Sequence, residues 1–216
     1  MVDFTLDPAR TALINVDMQV AFVDGSPIAA PDGPKILPLI NQLAAACRKA
    51  GMLVVHTAHT LRADLSNAGV HAEMEPMLAE GVFSEGAPTA ALHRDLEVMP
   101  SDIVLKKPRF GAFHSTDLEL ILRARGIDSV IITGICTNVC CETTAREAAV
   151  RDFKVFFTSD GTATSAMQNV SSEELQRATC ASIATVFGQV LTVDDVHAKI
   201  EGAVAARRAH RLPTDA

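Results

Sequence analysis

The feature that most constrains this fold is a regular alternation of short apolar runs with amphipathic segments. The apolar runs lie at 11–17, 52–59, 102–107, 129–135 and 153–160, with a sixth inside 188–208. Apolar residues recur at helical spacing between them, at 35–51, 115–127, 138–152, 171–187 and the end of 188–208. Strands that alternate with helices are typical of parallel βαβ units, and continuous apolar strands indicate helices on both faces. We therefore predict an open parallel α/β sheet of about six strands.

The domain organisation follows from length and composition. The chain has 216 residues, of which 48% are hydrophobic, which is enough for a large core. No internal repeat, low-complexity segment or interdomain linker is visible, and only 60–100 is long and irregular. We predict one domain over 1–216.

Charge and hydropathy exclude several classes of partner. The net charge of −7 argues against a nucleic-acid partner, because such proteins usually carry a basic stripe. The only basic cluster, at 205–211, is typical of a solvated helix end. No apolar run approaches the roughly 18 residues of a membrane span, and no basic region followed by an apolar run marks a signal peptide. The sequence therefore predicts a cytoplasmic protein with no membrane or nucleic-acid partner.

The stretch "TGICTNVCCETTAREA", residues 133–148, holds three of the five cysteines, Cys136, Cys140 and Cys141. A disulfide is disfavoured because cytoplasmic thiols stay reduced and adjacent cysteines are poorly placed to pair. A zinc site is disfavoured because the stretch has no C-x-x-C pair and no histidine. Two interpretations remain open: buried core residues, or a nucleophile with two neighbours.

Polar residues follow three of the predicted strands at the sheet edge where such folds bind ligands. Asp17 ends the first strand, Lys107 the third, and the cysteine stretch follows the fourth. A partly desolvated Asp17 is a candidate general base, and Lys107 would balance its charge. The alternatives are a structural ion pair and a core cysteine.

Cys140 falls in the first turn of the helix predicted at 138–152. Unpaired amides and a partial positive charge at a helix N-terminus lower a thiol pKa and bind a developing oxyanion. The sequence therefore predicts a reactive thiolate at Cys140.

Three blocks, "INVDMQVAFVDG", "VLKKPRFGAFHSTDLELILRARGI" and "IITGICTNVCCETTAREA", closely resemble the isochorismatase-like cysteine hydrolases. They occur in the family's order, and the resemblance covers about residues 8–197, which leaves a C-terminal helix and tail at 198–216. It implies a Rossmann-like domain with a six-stranded parallel sheet. It also implies a hydrolase that cleaves a C–N bond of a small amide, ureido, carbamoyl or cyclic-amide compound through a thioester.

The resemblance assigns roles residue by residue. It makes Asp17, Lys107 and Cys140 a catalytic triad, and it makes the backbone N–H groups of Cys136 and Cys140 an oxyanion hole. It implies a cis peptide bond between Ile135 and Cys136, with Cys141 packed inward. A homo-oligomer, either dimer or tetramer, is also expected, with a small molecule as substrate.

One departure bears on metal binding. Nicotinamidases of this superfamily hold a metal through an Asp-x-His pair after the second strand, where this chain has His59 and Leu61. We therefore expect no metal and no cofactor, with a nicotinamidase-like carboxamide hydrolase kept as the alternative.

The residues that contact substrate are less constrained. Phe22, His59, Phe110, Phe113 and His114 are the substrate-binding candidates, and either histidine could replace Asp17 as the base. The rival from another class is a non-catalytic α/β protein that uses its cysteines for thiol or metal chemistry.

Overall fold

The computed structural model describes residues 2–211, with side chains up to residue 209. Met1 and 212–216, which belong to the predicted domain and its tail, lie outside this range. The strands are β1 (Thr11–Val16), β2 (Leu53–His59), β3 (Ile103–Lys107), β4 (Ser129–Ile135), β5 (Lys154–Ala163) and β6 (Gln189–Leu191). They form one six-stranded sheet in the order β3-β2-β1-β4-β5-β6, and every pairing is parallel. The prediction of a six-stranded parallel α/β sheet is confirmed.

Helices connect the strands. They are α1 (Val20–Val23), α2 (Gly33–Lys49), α3 (His71–Met74), α4 (Pro76–Ala79), α5 (Leu118–Ala124), α6 (Glu142–Ala149), α7 (Ser172–Val186) and α8 (Val193–Arg211). The N-terminus of α7 is fixed by a capping box, in which Ser171 and Glu174 accept each other's amide protons. In the part of the chain that the structure describes, no helix is both long and apolar enough to cross a membrane.

The alternation of side chains along each strand gives the sheet two apolar faces. On one face Ile14 of β1 packs with residues of α5 and α6, such as Leu122 and Ala145. On the other face Leu13, the next residue along, packs with Leu43 of α2 and Val196 of α8. Successive residues of a strand point to opposite faces, so a buried parallel strand is apolar on both sides. Helices therefore cover both faces, as the continuous apolar strands predict.

Two helix starts differ from the predictions. The helix predicted at 138–152 begins only at Glu142, because Thr137–Cys141 form a π turn closed by the Cys141 amide donating to the Cys136 carbonyl at 3.0 Å. The helix predicted at 115–127 begins at Leu118 instead of Ser115, whose φ of 58° is incompatible with a right-handed helix. Sequence periodicity placed both helices after the correct strands, but it did not predict these local turns.

The irregular region 60–100 folds over the carboxyl ends of β1, β2 and β3. Its base is closed where the Leu61 amide donates to the Phe83 carbonyl and the Glu85 amide donates to the Leu61 carbonyl, both at 2.8 Å. The short helices α3 and α4 lie in the excursion 62–82 between these contacts. Farther along, Gln19 Nε2 donates to the Ala90 carbonyl at 2.7 Å, which ties the region to the loop after β1. The segment thus covers the edge where polar residues were predicted to meet.

The strand order reverses between β1 and β4, which run outward from the centre of the sheet in opposite directions. Connections leave these two strands toward opposite faces, so a crevice forms at their carboxyl ends. Gly134 of β4 lies beside Val16 of β1 at this point and has a φ of 117°. A side chain on Gly134 would collide with the Val16 backbone, since its Cβ would lie 2.6 Å from the Val16 amide nitrogen. Glycine is therefore required where the two central strands approach the crevice.

We predict that Gly134→Ala lowers the free energy of unfolding by at least about 3 kcal/mol, because it adds both a backbone collision and an unfavourable φ. The matched control is Gly202→Ala in α8, where an added Cβ meets nothing within 4 Å. This control should be neutral or stabilising by up to about 1 kcal/mol, because alanine is the better helix former. Urea denaturation of the two variants measures the difference, and equal stabilities would contradict the steric argument.

Candidate active site

Asp17 leaves the end of β1 in a left-handed conformation, with a φ of 50°. Its carbonyl accepts the Gln19 amide at 2.7 Å, and its own amide donates to Thr57 Oγ1 at 3.1 Å. Thr57 Oγ1 donates in turn to Asp17 Oδ1 at 2.7 Å. Unusual backbone conformations of this kind persist where surrounding contacts hold them, often at functional sites. The carboxylate is fully buried and held in one orientation.

Lys107, the last residue of β3, is fully buried beside that carboxylate. Its Nζ lies 2.7 Å from Asp17 Oδ2 and donates to the carbonyls of Arg109 and Phe110 at 2.9 and 2.8 Å. Burial disfavours the ammonium charge, but the attraction of Asp17 outweighs it, so the pKa of Lys107 is raised. The ammonium thus donates to two carbonyls and lies in ion-pair contact with the Asp17 carboxylate.

Cys140 lies in the π turn between β4 and α6, with 4% of its surface exposed. Its thiol lies close enough to the Asp17 carboxylate and the Lys107 ammonium for both groups to act on its pKa. Burial raises the pKa of the Cys140 thiol well above its ordinary value; Lys107 opposes this shift, and Asp17 adds to it. The prediction of a low-pKa thiolate at Cys140 is therefore wrong for the free protein. The loss of hydration raises the pKa of the thiol more than the charge of Lys107 lowers it. The resting group is a thiol that faces a base.

The other two cysteines of the cluster have different surroundings. Cys141 is fully buried, and its Sγ donates to the Thr133 carbonyl at 3.8 Å, so it points inward as expected. Burial raises the pKa of Cys136 to about 12, with Asp17 acting in the same direction. The peptide bond between Ile135 and Cys136 is cis, as the resemblance implies. That the amides of Cys136 and Cys140 form an oxyanion hole stays a prediction.

Five rings form a continuous aromatic wall next to this group: Phe22, Phe83, His59, His71 and Phe110. Neighbouring ring centroids lie 4.9, 5.1, 5.7 and 4.7 Å apart in that order. The structure thus brings together three of the sequence-based substrate candidates, Phe22, His59 and Phe110. His71 was missed because it lies in the excursion 62–82, whose sequence carries turn signals but no periodicity.

The remaining two candidates lie apart from the aromatic wall. Phe113 packs against Phe153, with ring centroids 5.6 Å apart, beneath the Arg151 guanidinium. It belongs to the apolar cluster on the α5 and α6 face of the sheet. His114 is exposed and lines a surface groove with Arg62 and Arg109. The reversal of the chain after β3 turns these two side chains away from the crevice, although they are close to Lys107 in sequence.

Among the residues that the structure describes, no group of three or more His, Cys, Asp and Glu side chains is arranged to hold a metal ion. At the place where nicotinamidases carry an Asp-x-His pair, Leu61 is buried in the apolar cluster with Phe22 and Phe83.

Fold and site together define an α/β enzyme with a buried thiol, carboxylate and ammonium at the switch point of a parallel sheet. The model of the isochorismatase domain matches residues 11–195. The ureidoacrylate amidohydrolase RutB of Methylorubrum extorquens is 33% identical over 226 residues, covering 96% of this chain and 88% of the relative.

Solved structures agree. A cysteine hydrolase from Pseudomonas syringae pv. phaseolicola superimposes with a TM-score of 0.90 at 33% identity, covering 94% of this chain and 97% of the other. An isochorismatase family protein from Burkholderia thailandensis gives a TM-score of 0.78 at 32% identity, covering 91% and 98%. The chain belongs to the isochorismatase family, and it is a hydrolase.

The charge state of His59 gives a stability prediction. Burial and the charge of Lys107 lower the pKa of His59 to about 4 from its ordinary value of 6.5. The unfolded chain therefore binds a proton at this site below about pH 6.5, while the folded chain does so only near pH 4. Stability falls as the pH is lowered through this window, by roughly 3 kcal/mol for His59 alone. Urea denaturation of His59→Phe from pH 4 to 8 should show a shallower loss; an unchanged slope would contradict this assignment.

The raised thiol pKa values predict how the free protein reacts with iodoacetamide. Cys180 is half-buried, whereas Cys47, Cys136, Cys140 and Cys141 are buried. We expect Cys180 to be alkylated first at pH 8, because access and thiolate content both limit the others. Peptide mapping by mass spectrometry gives the order, and Cys140 labelled before Cys180 would indicate a pre-formed thiolate.

Proposed function

We propose that the protein cleaves a C–N bond of a small amide, ureido, carbamoyl or cyclic-amide compound through a thioester on Cys140. The observation that carries this proposal is that the Cys140 thiol is buried close to an Asp17 carboxylate that is itself paired with Lys107 at 2.7 Å. A nucleophile beside a base, with the base oriented by a third group, is the arrangement that covalent catalysis needs. The amidohydrolase name of the Methylorubrum relative supports a C–N bond as the target.

In the proposed first step Asp17 takes the Cys140 proton while sulfur attacks the substrate carbonyl. Because the resting thiol has a raised pKa, proton removal accompanies the attack. The amides of Cys136 and Cys140 would hold the oxygen as it becomes negative. When the C–N bond breaks, Asp17 returns the proton to the leaving nitrogen, and an acyl thioester remains.

In the second step Asp17 takes a proton from water, and the hydroxide attacks the thioester. The C–S bond breaks, the acid leaves, and the proton returns to sulfur. Lys107 stays protonated throughout and balances the charge of the neighbouring carboxylate. The expected small-molecule substrate and homo-oligomeric state remain part of this proposal.

The triad is tested with Cys140→Ala and Asp17→Asn. Asn is nearly isosteric with Asp but is not a base, so turnover should fall by the roughly 10²–10⁴-fold typical of a lost general base. Cys140→Ala should form no thioester. Hydrolysis of a panel of small amides, ureido compounds and lactams is followed by ammonia release and by mass change of substrate and protein.

The matched control is Asp128→Asn, which breaks the exposed Arg10–Asp128 ion pair of 2.6 Å at the amino end of β4. Its turnover should be unchanged, since an exposed pair at the far end of the sheet contributes at most about 1 kcal/mol to stability. If the Asp17–Lys107 pair is only structural, Asp17→Asn will lose thermal stability while its folded fraction keeps normal single-turnover rates. That result would overturn the proposal.

A further inference from the structure

His59 is a buried histidine whose ring has no hydrogen-bond partner within residues 2–211. Only 4% of the residue is exposed, and both Nδ1 and Nε2 are buried and unpaired. The Lys107 carbonyl lies near enough to act on its pKa, but neither nitrogen completes a hydrogen bond to it. A buried polar group without a partner costs about 1–3 kcal/mol, so its presence calls for an explanation.

The backbone of His59, in contrast, is fully held. Its amide donates to Gln19 Oε1 at 2.7 Å, and its carbonyl accepts from Gln19 Nε2 at 3.0 Å. The side-chain nitrogen of Gln19, Nε2, also donates to the Ala90 carbonyl at 2.7 Å. The imidazole therefore projects from a fixed main chain, and its position is set although its nitrogens are unpaired.

The ring faces the catalytic group proposed above. His59 pairs in register with Lys107 across β2 and β3, and both Lys107 and Asp17 act on its pKa. The ring centroids of His59 and His71 lie 5.7 Å apart, and Nδ1 of His71 also has no hydrogen-bond partner. Three ring nitrogens of these two histidines thus lack a hydrogen-bond partner within residues 2–211.

The charge state decides what such a ring can bind. With its pKa lowered to about 4, His59 is neutral at physiological pH, and one nitrogen donates while the other accepts. An ester or a carboxylate can use only the donor. A carboxamide, ureido or carbamoyl group carries both N–H donors and a carbonyl acceptor, so it can pair with either the donor nitrogen or the acceptor nitrogen of the ring.

We propose that the His59 imidazole is a specificity-determining group that hydrogen-bonds the uncharged amide, ureido or carbamoyl group of the substrate. This inference rests on the proposed function and adds to it the group that reads the substrate. It also explains why a histidine is buried here without a partner: the partner is the substrate.

The test measures binding of ureidoacrylate by calorimetry in the Cys140→Ala background, where turnover is blocked. His59→Phe keeps a ring against Phe83 but removes both nitrogens, and we expect a roughly 10-fold weaker affinity for the lost hydrogen bond. His59→Gln retains one donor and one acceptor and should restore part of this loss.

Thermal melts separate recognition from a structural role. His59→Phe should keep or raise the Tm, since it removes unpaired buried polar atoms. The matched control, His56→Phe, replaces a buried histidine that contacts Asn15 and Asp102 at 3.3 and 3.1 Å. It should lower the Tm, because those partners would lose their contacts.

The inference is overturned if His59→Phe binds ureidoacrylate as tightly as its Cys140→Ala parent, or if Cys140→Ala binds no ureidoacrylate. A lowered Tm in His59→Phe with full affinity would likewise assign the ring a structural role. Failure of the proposed function has a separate signature: Cys140→Ala itself would hydrolyse ureidoacrylate, as seen by the mass of the compound recovered from the calorimeter.

Discussion

The Asp17–Lys107 ion pair is the interaction on which the rest of the site depends. Moving two charges into a protein interior costs several kcal/mol per ion, and a pair is tolerated only when its remaining hydrogen-bonding capacity is used. Here two carbonyls satisfy the remaining Lys107 protons, and Thr57 satisfies Asp17 Oδ1. These contacts fix the ends of β1, β2 and β3 relative to one another. The buried charges also set the electrostatic environment of Cys140 and His59.

The ionised pair and its surroundings give each neighbouring group a defined protonation state. The Cys140 thiol is protonated because burial dominates, although Lys107 lies nearby. His59 is neutral because burial and Lys107 act in the same direction. Asp17 is thus the carboxylate that acts on the pKa of the thiol. Under the proposed mechanism, such a site would generate its nucleophile during the reaction, and its buried thiol would resist alkylation and oxidation between turnovers.

The segment 60–100 provides the desolvation on which these states depend. It supplies Phe83 and His71 to the aromatic wall and is tied to the central strands through Gln19. A water-excluded crevice strengthens every electrostatic interaction inside it. The base of the excursion 62–82 within this segment is held by two backbone hydrogen bonds between Leu61 and Phe83–Glu85.

The sequence by itself determined the number of strands and their alternation with helices, because continuous apolar runs and helical periodicity show which faces of each element are buried. It also placed Asp17, Lys107 and the cysteine stretch at strand ends, since parallel strands end at a common edge. Tertiary structure alone decided the rest. The π turn at Thr137–Cys141, the left-handed Ser115 and the positions of Phe113 and His114 depend on how the chain reverses beyond a strand, which periodicity does not record. The thiol pKa and the role of His71 depend on a segment distant in sequence, because desolvation is set by everything packed around a group and not by its own neighbours in the chain.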